Sequence, residues 1–237
     1  MLGQSTASEA KSTLVDLLDL HGIRGVIRGV KALALYRKLR GDVDLLVDVH
    51  GHQIFHDASF NADPHPGNIL ELSDGRLGLL DFGQTKKLDD NERDDFARVV
   101  VALGSNADKI KIADAMRHAG FKSKLDADDA LAEYAALFFD SDFVHKEKGY
   151  ATPQHYFQSL MATDPLINIP DSASKSNCAF SCVVHKQPRY LNCFVPVMIA
   201  RVSLLFRGAG SAINHQVQTS QNWMKHAQKA LEQSAKN

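Results

Sequence analysis

Three side chains suited to magnesium-dependent phosphoryl transfer lie close together in this sequence. Asp63 and Asn68 belong to the stretch Asn61-Ala-Asp-Pro-His-Pro-Gly-Asn-Ile-Leu, and Asp81 opens a later Asp-Phe-Gly triplet. Kinase-type sites use this order, with one Asp for the acceptor hydroxyl and the Asn and second Asp for Mg²⁺ on the nucleotide phosphates. We therefore expect Asp63 to orient or deprotonate the acceptor, and Asn68 and Asp81 to ligate magnesium.

The residues between these three are predicted to bring them together. Pro64 and Pro66 stiffen the loop, and Gly67 permits a backbone conformation that other residues resist. The segments 69–72 and 77–80 are apolar and flank an Asp-Gly turn, which predicts a short β-hairpin. Such a hairpin would set the loop that carries Asp63 and Asn68 against Asp81.

Three helices are predicted before the loop. The first ends at His21-Gly22, the second covers 23–40, and the third runs from about Asp42 to Phe55 with four inward side chains, Leu45, Leu46, Val49 and Ile54. The second has apolar residues on one broad face (Ile23, Val26, Ile27, Val30, Leu33, Leu35) and basic residues on the other (Arg24, Arg28, Lys31, Arg37, Lys38, Arg40). Such a helix suits either peripheral contact with an anionic membrane or a solvated basic face.

The sequence after Asp89 is predicted to be almost entirely helical. The expected helices cover 90–104, 107–119, 126–139, 153–162, 188–207 and 214–235, with a loop over 163–177. The predicted class is α+β and mostly helical. The predicted organisation is a helical segment over 1–41, amphipathic and basic, followed by a lobe over 42–237.

Composition limits the function classes. A chain of 237 residues with 44% hydrophobic content and a net charge of -1 suits one globular core and no nucleic-acid partner. Cys178, Cys182 and Cys193 are too few for a disulfide framework, and with His185 they match no common zinc finger, so incidental thiols are the favoured alternative. No targeting peptide is visible at the start of the sequence, and its longest apolar run is too short to span a bilayer.

These motifs resemble one known family. Phe60-x-Ala-Asp-Pro-His-Pro-Gly-Asn-Ile-Leu, Asp74-Gly-Arg-Leu and Leu80-Asp-Phe-Gly-Gln-x-Lys-x-Leu are similar to the UbiB family, also called aarF-domain or ADCK kinases. The resemblance implies a protein-kinase-like C-lobe that uses ATP and Mg²⁺. It also implies a link to ubiquinone or other prenyl-lipid metabolism, in a mitochondrion or plastid for a eukaryotic member.

Two departures from the family pattern bear on activity. The family usually has a histidine where this chain has Asn61, although an amide can also support the loop by hydrogen bonding. A kinase N-lobe should also supply a phosphate-binding lysine, its glutamate partner and, in this family, a Lys-x-Gly-Gln helix. Lys31 only loosely resembles such a lysine, because its neighbours have helical periodicity. The sequence therefore predicts a C-lobe whose N-lobe is absent, and leaves open whether it is an enzyme or a truncated, non-catalytic module for protein or membrane binding.

The segment after the Asp-Phe-Gly triplet bears on the substrate. Only a few residues separate Gly83 from Asp89, the predicted cap of the next helix. No long activation segment is therefore available to dock a peptide. A small-molecule or lipid acceptor is favoured over a protein.

Four histidines form a second cluster in the sequence: His50, His52, His56 and His65. His52 and His56 are four positions apart and could share a helix face as metal ligands. Ordinary hydrogen bonding is the favoured alternative, and His65 is better explained as part of the loop.

Overall fold

The described residues are mostly helical and include three small sheets. The computed structural model describes residues 5–140, 144–168 and 195–236. The chain divides into two compact units, Met1–Asp42 and Val43–Asn237. The α+β, mostly helical class predicted from the sequence is confirmed, while the assignment of the second unit to a kinase C-lobe stays a prediction.

Eight α-helices occur in the described residues, named here in chain order. They are α1 (Ser5–Phe55), α2 (Asp90–Gly104), α3 (Lys109–His118), α4 (Asp128–Phe139), α5 (Val144–Glu147), α6 (Pro153–Thr163), α7 (Val195–Ala212) and α8 (Thr219–Ser234). None of them is long and apolar enough to cross a bilayer.

The six strands of the described residues form three antiparallel pairs. They are β1 (Ser59–Asn61), β2 (Ile69–Glu71), β3 (Leu77–Leu79), β4 (Thr85–Lys87), β5 (Lys122–Ser123) and β6 (Leu166–Asn168). The pairs are β1 with β4, β2 with β3, and β5 with β6. The predicted hairpin is the pair β2–β3, and Gly75 takes the positive φ of 83° that its turn requires.

The three helices predicted before the loop are one helix in the structure. α1 continues through His21-Gly22 and through Gly41, where breaks were predicted. A glycine inside a helix costs about 1 kcal/mol relative to alanine, which neighbouring helix-forming residues can offset. The predicted breaks are therefore wrong: neither His21-Gly22 nor Gly41 with the possible cap Asp42 interrupts the helix.

The last part of α1 packs into the core of the second unit. Leu46 and Ile54 are buried and Val49 is half-buried, as predicted, but Leu45 is half exposed. Gly51 is also buried, and a methyl group there would lie 2.7 Å from Cδ1 of Trp223 on α8. Close approach of α8 to α1 thus depends on the absence of a side chain at Gly51.

The described residues of the first unit carry exposed apolar side chains. Val30, Leu33 and Leu35, predicted to lie on one apolar face, are all exposed, and so is Leu39. The basic residues from Lys31 to Arg40 are exposed as well. The side chains of Arg24 and Arg28 lie outside the described part of the chain.

Aromatic side chains form the centre of the second unit. The Phe96 ring stacks on Phe55 with centroids 6.0 Å apart and meets Phe139 edge-on at 4.8 Å. Trp223 lies against Phe55, and its Nε1 donates to Val47 O at 2.8 Å. Four helices, α1, α2, α4 and α8, therefore share one aromatic core, which fixes the end of α1 and the loop that follows it.

The helices predicted after Asp89 are confirmed where the structure describes them. α2 begins after Asp89, whose side chain and that of Glu92 form a capping box. Within the described residues, the predicted helices over 188–207 and 214–235 correspond to α7, which ends at Ala212, and to α8, which begins at Thr219. The strands β5 and β6 were missed, because they are short and pair across a long stretch of sequence with no single turn joining them. Cys178, Cys182, His185 and Cys193 lie outside the described residues.

Candidate active site

Two strand pairs hold the predicted catalytic segments beside each other. Asn61 pairs with Thr85 where β1 meets β4, and Ile69 pairs with Leu79 where β2 meets β3. Asp63 follows β1, Asn68 precedes β2, and Asp81 lies between β3 and β4. The backbone N–H of Leu80 also donates to Asn68 O at 2.9 Å. The main chain thus brings the loop to the residue directly before Asp81.

The side chain of Asn61 ties the loop to the Asp-Phe-Gly segment. Its Nδ2 donates to the backbone carbonyl of Asp81 at 2.8 Å, and its Oδ1 accepts from the backbone N–H of Asp63 at 2.9 Å. Asn61 is only 3% exposed, and both bonds are partly buried. The expectation that an amide can support this loop is confirmed. Its two functional groups provide partners for a partly buried backbone donor and a backbone acceptor.

Asp63 is held by two side chains that sequence reasoning did not select. Arg201 Nη2 donates to Asp63 Oδ1 at 2.9 Å, and Gln84 Nε2 donates to Asp63 Oδ2 at 3.3 Å. Arg201 Nη1 also donates to Gln84 Oε1 at 3.0 Å, which closes a triangle of hydrogen bonds. One sequence feature could have drawn attention to Arg201: it is a charged residue within the mostly apolar sequence of α7 (Val195–Ala212).

A single turn of 3₁₀-helix, Pro66–Asn68, positions Asn68. The side chain of His65 caps this turn, because its Nδ1 accepts from the backbone N–H of Gly67 at 3.0 Å. Asn68 N also donates to His65 O at 2.8 Å. The role of His65 within the loop is therefore confirmed. Asn68 itself is half-buried at the start of the hairpin.

Asp81 is an exposed residue of the second unit. Its Oδ1 accepts from the backbone N–H of Gly83 at 2.7 Å, which fixes the carboxylate above the turn. The apolar residues on either side are uncovered, with Leu80 58% and Phe82 57% exposed. Large apolar side chains this exposed beside a polar site are typical of a surface that another segment or molecule covers.

The donor atoms at this site fit magnesium. Asp81 and Asn68 offer carboxylate and amide oxygens, the hard ligands that Mg²⁺ prefers, and Asp81 is open to a metal that keeps several waters. The backbone brings the segments of Asp63, Asn68 and Asp81 together; their roles stay predictions. Lys31, the weak candidate for a phosphate contact, is an exposed residue of α1, in helix as its neighbours predicted.

Comparison with known proteins agrees with this arrangement. Residues 37–116 match the family model described as the ABC1 atypical kinase-like domain. This segment contains the end of α1, the loop, the hairpin, the Asp-Phe-Gly triplet, α2 and most of α3. The segment is therefore kinase-like.

Two of the relatives are named as kinases of this family. The chain is similar to the Arabidopsis thaliana proteins ACTIVITY OF BC1 COMPLEX KINASE 1, chloroplastic (31% identical over 36% of this chain and 12% of the relative) and ACTIVITY OF BC1 COMPLEX KINASE 3, chloroplastic (44% identical over 17% and 6%). It is also similar to the Synechocystis protein slr0889 (42% identical over 25% of this chain and 14% of the relative). The matched segments are thus a small part of each relative's length.

These matches confirm the resemblance to the ABC1, or UbiB, family over residues 37–116. They support a kinase-like function and nucleotide use in general terms.

Proposed function

We propose that this chain carries the magnesium-holding part of an ATP-dependent phosphoryl-transfer site of the ABC1/UbiB type. Asp81 and Asn68 would hold Mg²⁺ on the nucleotide phosphates, and Asp63 would orient or deprotonate the acceptor. The observation that carries this proposal is the Asn61 side chain, which bonds both to Asp63 N and to Asp81 O. A buried tether of this kind keeps the acceptor-handling and metal-holding segments in a fixed relationship.

The contacts of Asp63 support its proposed role. A carboxylate offers only acceptor oxygens when ionised, so it can accept the proton of an acceptor hydroxyl. Arg201 and Gln84 each hold one of the two oxygens. The carboxylate is thus oriented before an acceptor arrives. An acceptor hydroxyl would have to bond to an oxygen that already accepts from Arg201 or Gln84.

A small-molecule or lipid acceptor fits the site better than a protein. The residues between Asp81 and α2 include β4, which is paired along its length with β1. This segment is short and engaged within the fold, so it offers little to dock an extended peptide. We propose an acceptor or regulatory partner in prenyl-lipid metabolism, including ubiquinone, which is what the family resemblance implies.

We propose that the remaining nucleotide contacts come from another segment or another molecule. The apolar residues Leu80 and Phe82 on either side of Asp81 support this proposal, because both are more than half exposed and could be covered by such a segment or molecule. Turnover by this chain alone is then expected to be weak or absent, while magnesium–nucleotide binding can still be measured. Since two relatives are named as chloroplastic, we propose the plastid as the compartment ahead of the mitochondrion.

The test is magnesium-dependent nucleotide binding by titration calorimetry with ATP. Asp81→Asn should weaken binding by more than about tenfold, because it removes a charged ligand of the metal. Asp74→Asn is the matched control: Asp74 is an exposed acid at the tip of the same hairpin, paired with Arg76. Equal binding by the wild type and Asp81→Asn would overturn the site assignment. No binding by the wild type at millimolar Mg-ATP would favour the second candidate.

The second candidate is a non-catalytic kinase-like module that contacts membranes or proteins. It is favoured by the apolar side chains of Val30, Leu33 and Leu35, which are exposed on a helix that also carries exposed basic residues. Cosedimentation with anionic vesicles should then occur. It should be lost when Arg24, Arg28 and Lys31 are changed to Glu. Absence of vesicle binding by the wild type would remove the membrane form of this candidate.

A further inference from the structure

Three histidines converge in the second unit, two from helices and one from the residue directly after a helix. His52 lies in the last turn of α1, His56 directly follows that helix, and His226 lies on α8. One ring nitrogen from each lies within 4.8 Å of the others. Sequence spacing had suggested His52 and His56 as a pair, and the fold adds His226 from far along the chain.

The spacing of the ring nitrogens suits a tetrahedral metal ion. A Zn–N bond of about 2.0–2.1 Å places neighbouring ligand nitrogens about 3.3 Å apart. His56 Nε2 and His226 Nδ1 are already 3.2 Å apart. The side chain of His52 is 57% exposed, so its ring can rotate to close the remaining distance without disturbing the core.

A carboxylate behind the cluster orients His226. Asp48 Oδ1 lies 2.9 Å from His226 Nε2 and also accepts from Lys225 at 2.6 Å. When Nε2–H donates to Asp48, the lone pair of His226 is on Nδ1, the atom that faces His56. Metal-binding histidines commonly have such a carboxylate on their other ring nitrogen, where it fixes the tautomer and raises ligand basicity.

The contact between His56 and His226 holds a single hydrogen. When the lone pair of His226 is on Nδ1, His56 Nε2 carries this hydrogen and donates it. Metal binding would use the other tautomer of His56, with the hydrogen on Nδ1 and the lone pair on Nε2. This change moves a hydrogen within a neutral imidazole, so both facing nitrogens can bind the ion without release of a proton.

We propose that His52, His56 and His226 bind one divalent transition-metal ion, with Zn²⁺ the best match to three imidazole ligands and water in the fourth position. The ion would join α8 to the end of α1, a few residues before the loop that carries Asp63. This site is separate from the magnesium-holding residues and uses nitrogen rather than oxygen ligands. It stands whether or not the proposed phosphoryl-transfer function is correct.

The experiment is a titration of chelator-stripped protein with Zn²⁺ and with Co²⁺, followed by calorimetry and by visible absorption. We expect one ion per chain and a tetrahedral Co²⁺ spectrum without a thiolate charge-transfer band. At a free Zn²⁺ concentration of 100 times Kd, the thermal unfolding midpoint should rise by about 5–10 °C. The absence of a thiolate band matters because Cys178, Cys182 and Cys193 are alternative ligands in the same chain.

The metal affinities of four variants distinguish residues that bind the metal from residues that only lie near it. His52→Gln and His226→Gln should each weaken metal binding by more than about 100-fold, because each removes a ligand. This loss is larger than the loss expected when a residue that only orients a ligand is changed. Asp48→Asn should weaken it by about 10–100-fold, because the ligands remain but one loses its support. The control His155→Gln changes an exposed histidine on α6 and should leave Kd unchanged.

The outcomes are decisive in both directions. Because His52 is exposed, His52→Gln is expected to fold normally, so loss of binding in that variant supports the site directly. Zn²⁺ binding that is unchanged in His52→Gln and His226→Gln would overturn the proposal. So would a thiolate band in the Co²⁺ spectrum, or no binding by the wild type at micromolar metal.

Discussion

Arg201 Nη2 donates to Asp63 Oδ1 at 2.9 Å, and this ion pair joins α7 to the loop after β1 across 138 positions of sequence. The Arg201 side chain is 34% exposed and that of Asp63 is 24% exposed, so the pair is partly shielded from solvent. A carboxylate proposed to handle the acceptor is therefore positioned by a residue from the far end of the chain.

The Asp63–Arg201 pair should show a measurable coupling energy. In a double-mutant cycle with Asp63→Asn and Arg201→Gln, urea unfolding should give about 0.5–1 kcal/mol of coupling, since partial burial strengthens an ion pair only modestly. The more exposed pair Asp108–Lys111, with side chains 55% and 73% exposed, serves as the control, with a smaller expected coupling. A coupling of zero at Asp63–Arg201 would show that the contact does not hold the carboxylate in solution.

The same Arg201 variant distinguishes positioning from metal binding. Arg201→Gln should leave magnesium-dependent ATP binding within about twofold of the wild type, because Arg201 bonds to Asp63 and Gln84 and not to Asp81. Calorimetric titration checks this result. A loss as large as that in Asp81→Asn would instead place Arg201 on the nucleotide itself.

Asn61→Ala should lower the free energy of unfolding by about 2 kcal/mol, because it leaves a partly buried N–H of Asp63 and the carbonyl of Asp81 without their partner. Asn61→Asp should cost at least as much, since it keeps the acceptor but sets a carboxylate against that carbonyl. Urea unfolding measures both. Asn222→Ala is the control, because Asn222 Nδ2 also donates to a backbone carbonyl but within its own helix. Equal losses at Asn61 and Asn222 would contradict a special role for the tether.

Two glycines of α1 should respond in opposite directions to alanine. At Gly51 a methyl group would lie 2.7 Å from Cδ1 of Trp223 and 2.9 Å from Cδ2 of His226, so Gly51→Ala should lower stability by about 1–3 kcal/mol. At Gly41 nothing lies within 4 Å, and Gly41→Ala should raise helix stability by up to about 1 kcal/mol. Fluorescence of Trp223, the single tryptophan, should shift only in Gly51→Ala. No shift there would argue against the close helix contact.

His50 should make the protein less stable in mild acid. Burial lowers the pKa of His50 from 6.5 to about 4, against a smaller opposing effect of its hydrogen bond to Leu46 O. Between these values the unfolded chain binds more protons than the folded one, so stability falls as the pH is lowered from 6.5 to 4. The loss attributable to His50 is about 3 kcal/mol.

The variant His50→Leu isolates this contribution. Its unfolding free energy should change less than that of the wild type between pH 7 and pH 4, by about the same 3 kcal/mol, because the titrating group is gone. Chemical denaturation across the pH range measures the difference. Parallel curves for the two proteins would show that His50 is not buried in its neutral form.

Local signals accounted for much of the fold. The Asp-Gly turn between two apolar runs predicted β2 and β3, and the cap at Asp89 predicted the start of α2, because both patterns satisfy backbone groups through neighbours in sequence. Leu45 on α1 was predicted to face the core, but it is half exposed. Apolar periodicity indicates which residues could face a core, and it does not indicate whether a core lies there.

The sequence by itself determined the family signature, the hairpin and the oxygen-donor set of Asp63, Asn68 and Asp81, because these residues lie within one short stretch whose order and turn chemistry are local. Only the tertiary structure decided that Arg201 holds Asp63, that Asn61 bonds to the carbonyl of Asp81, and that His226 joins His52 and His56. Contacts between residues far apart in sequence depend on how helices pack. That packing is set by the complementary shapes of many side chains at once, such as Trp223 against Gly51, and no local pattern records it.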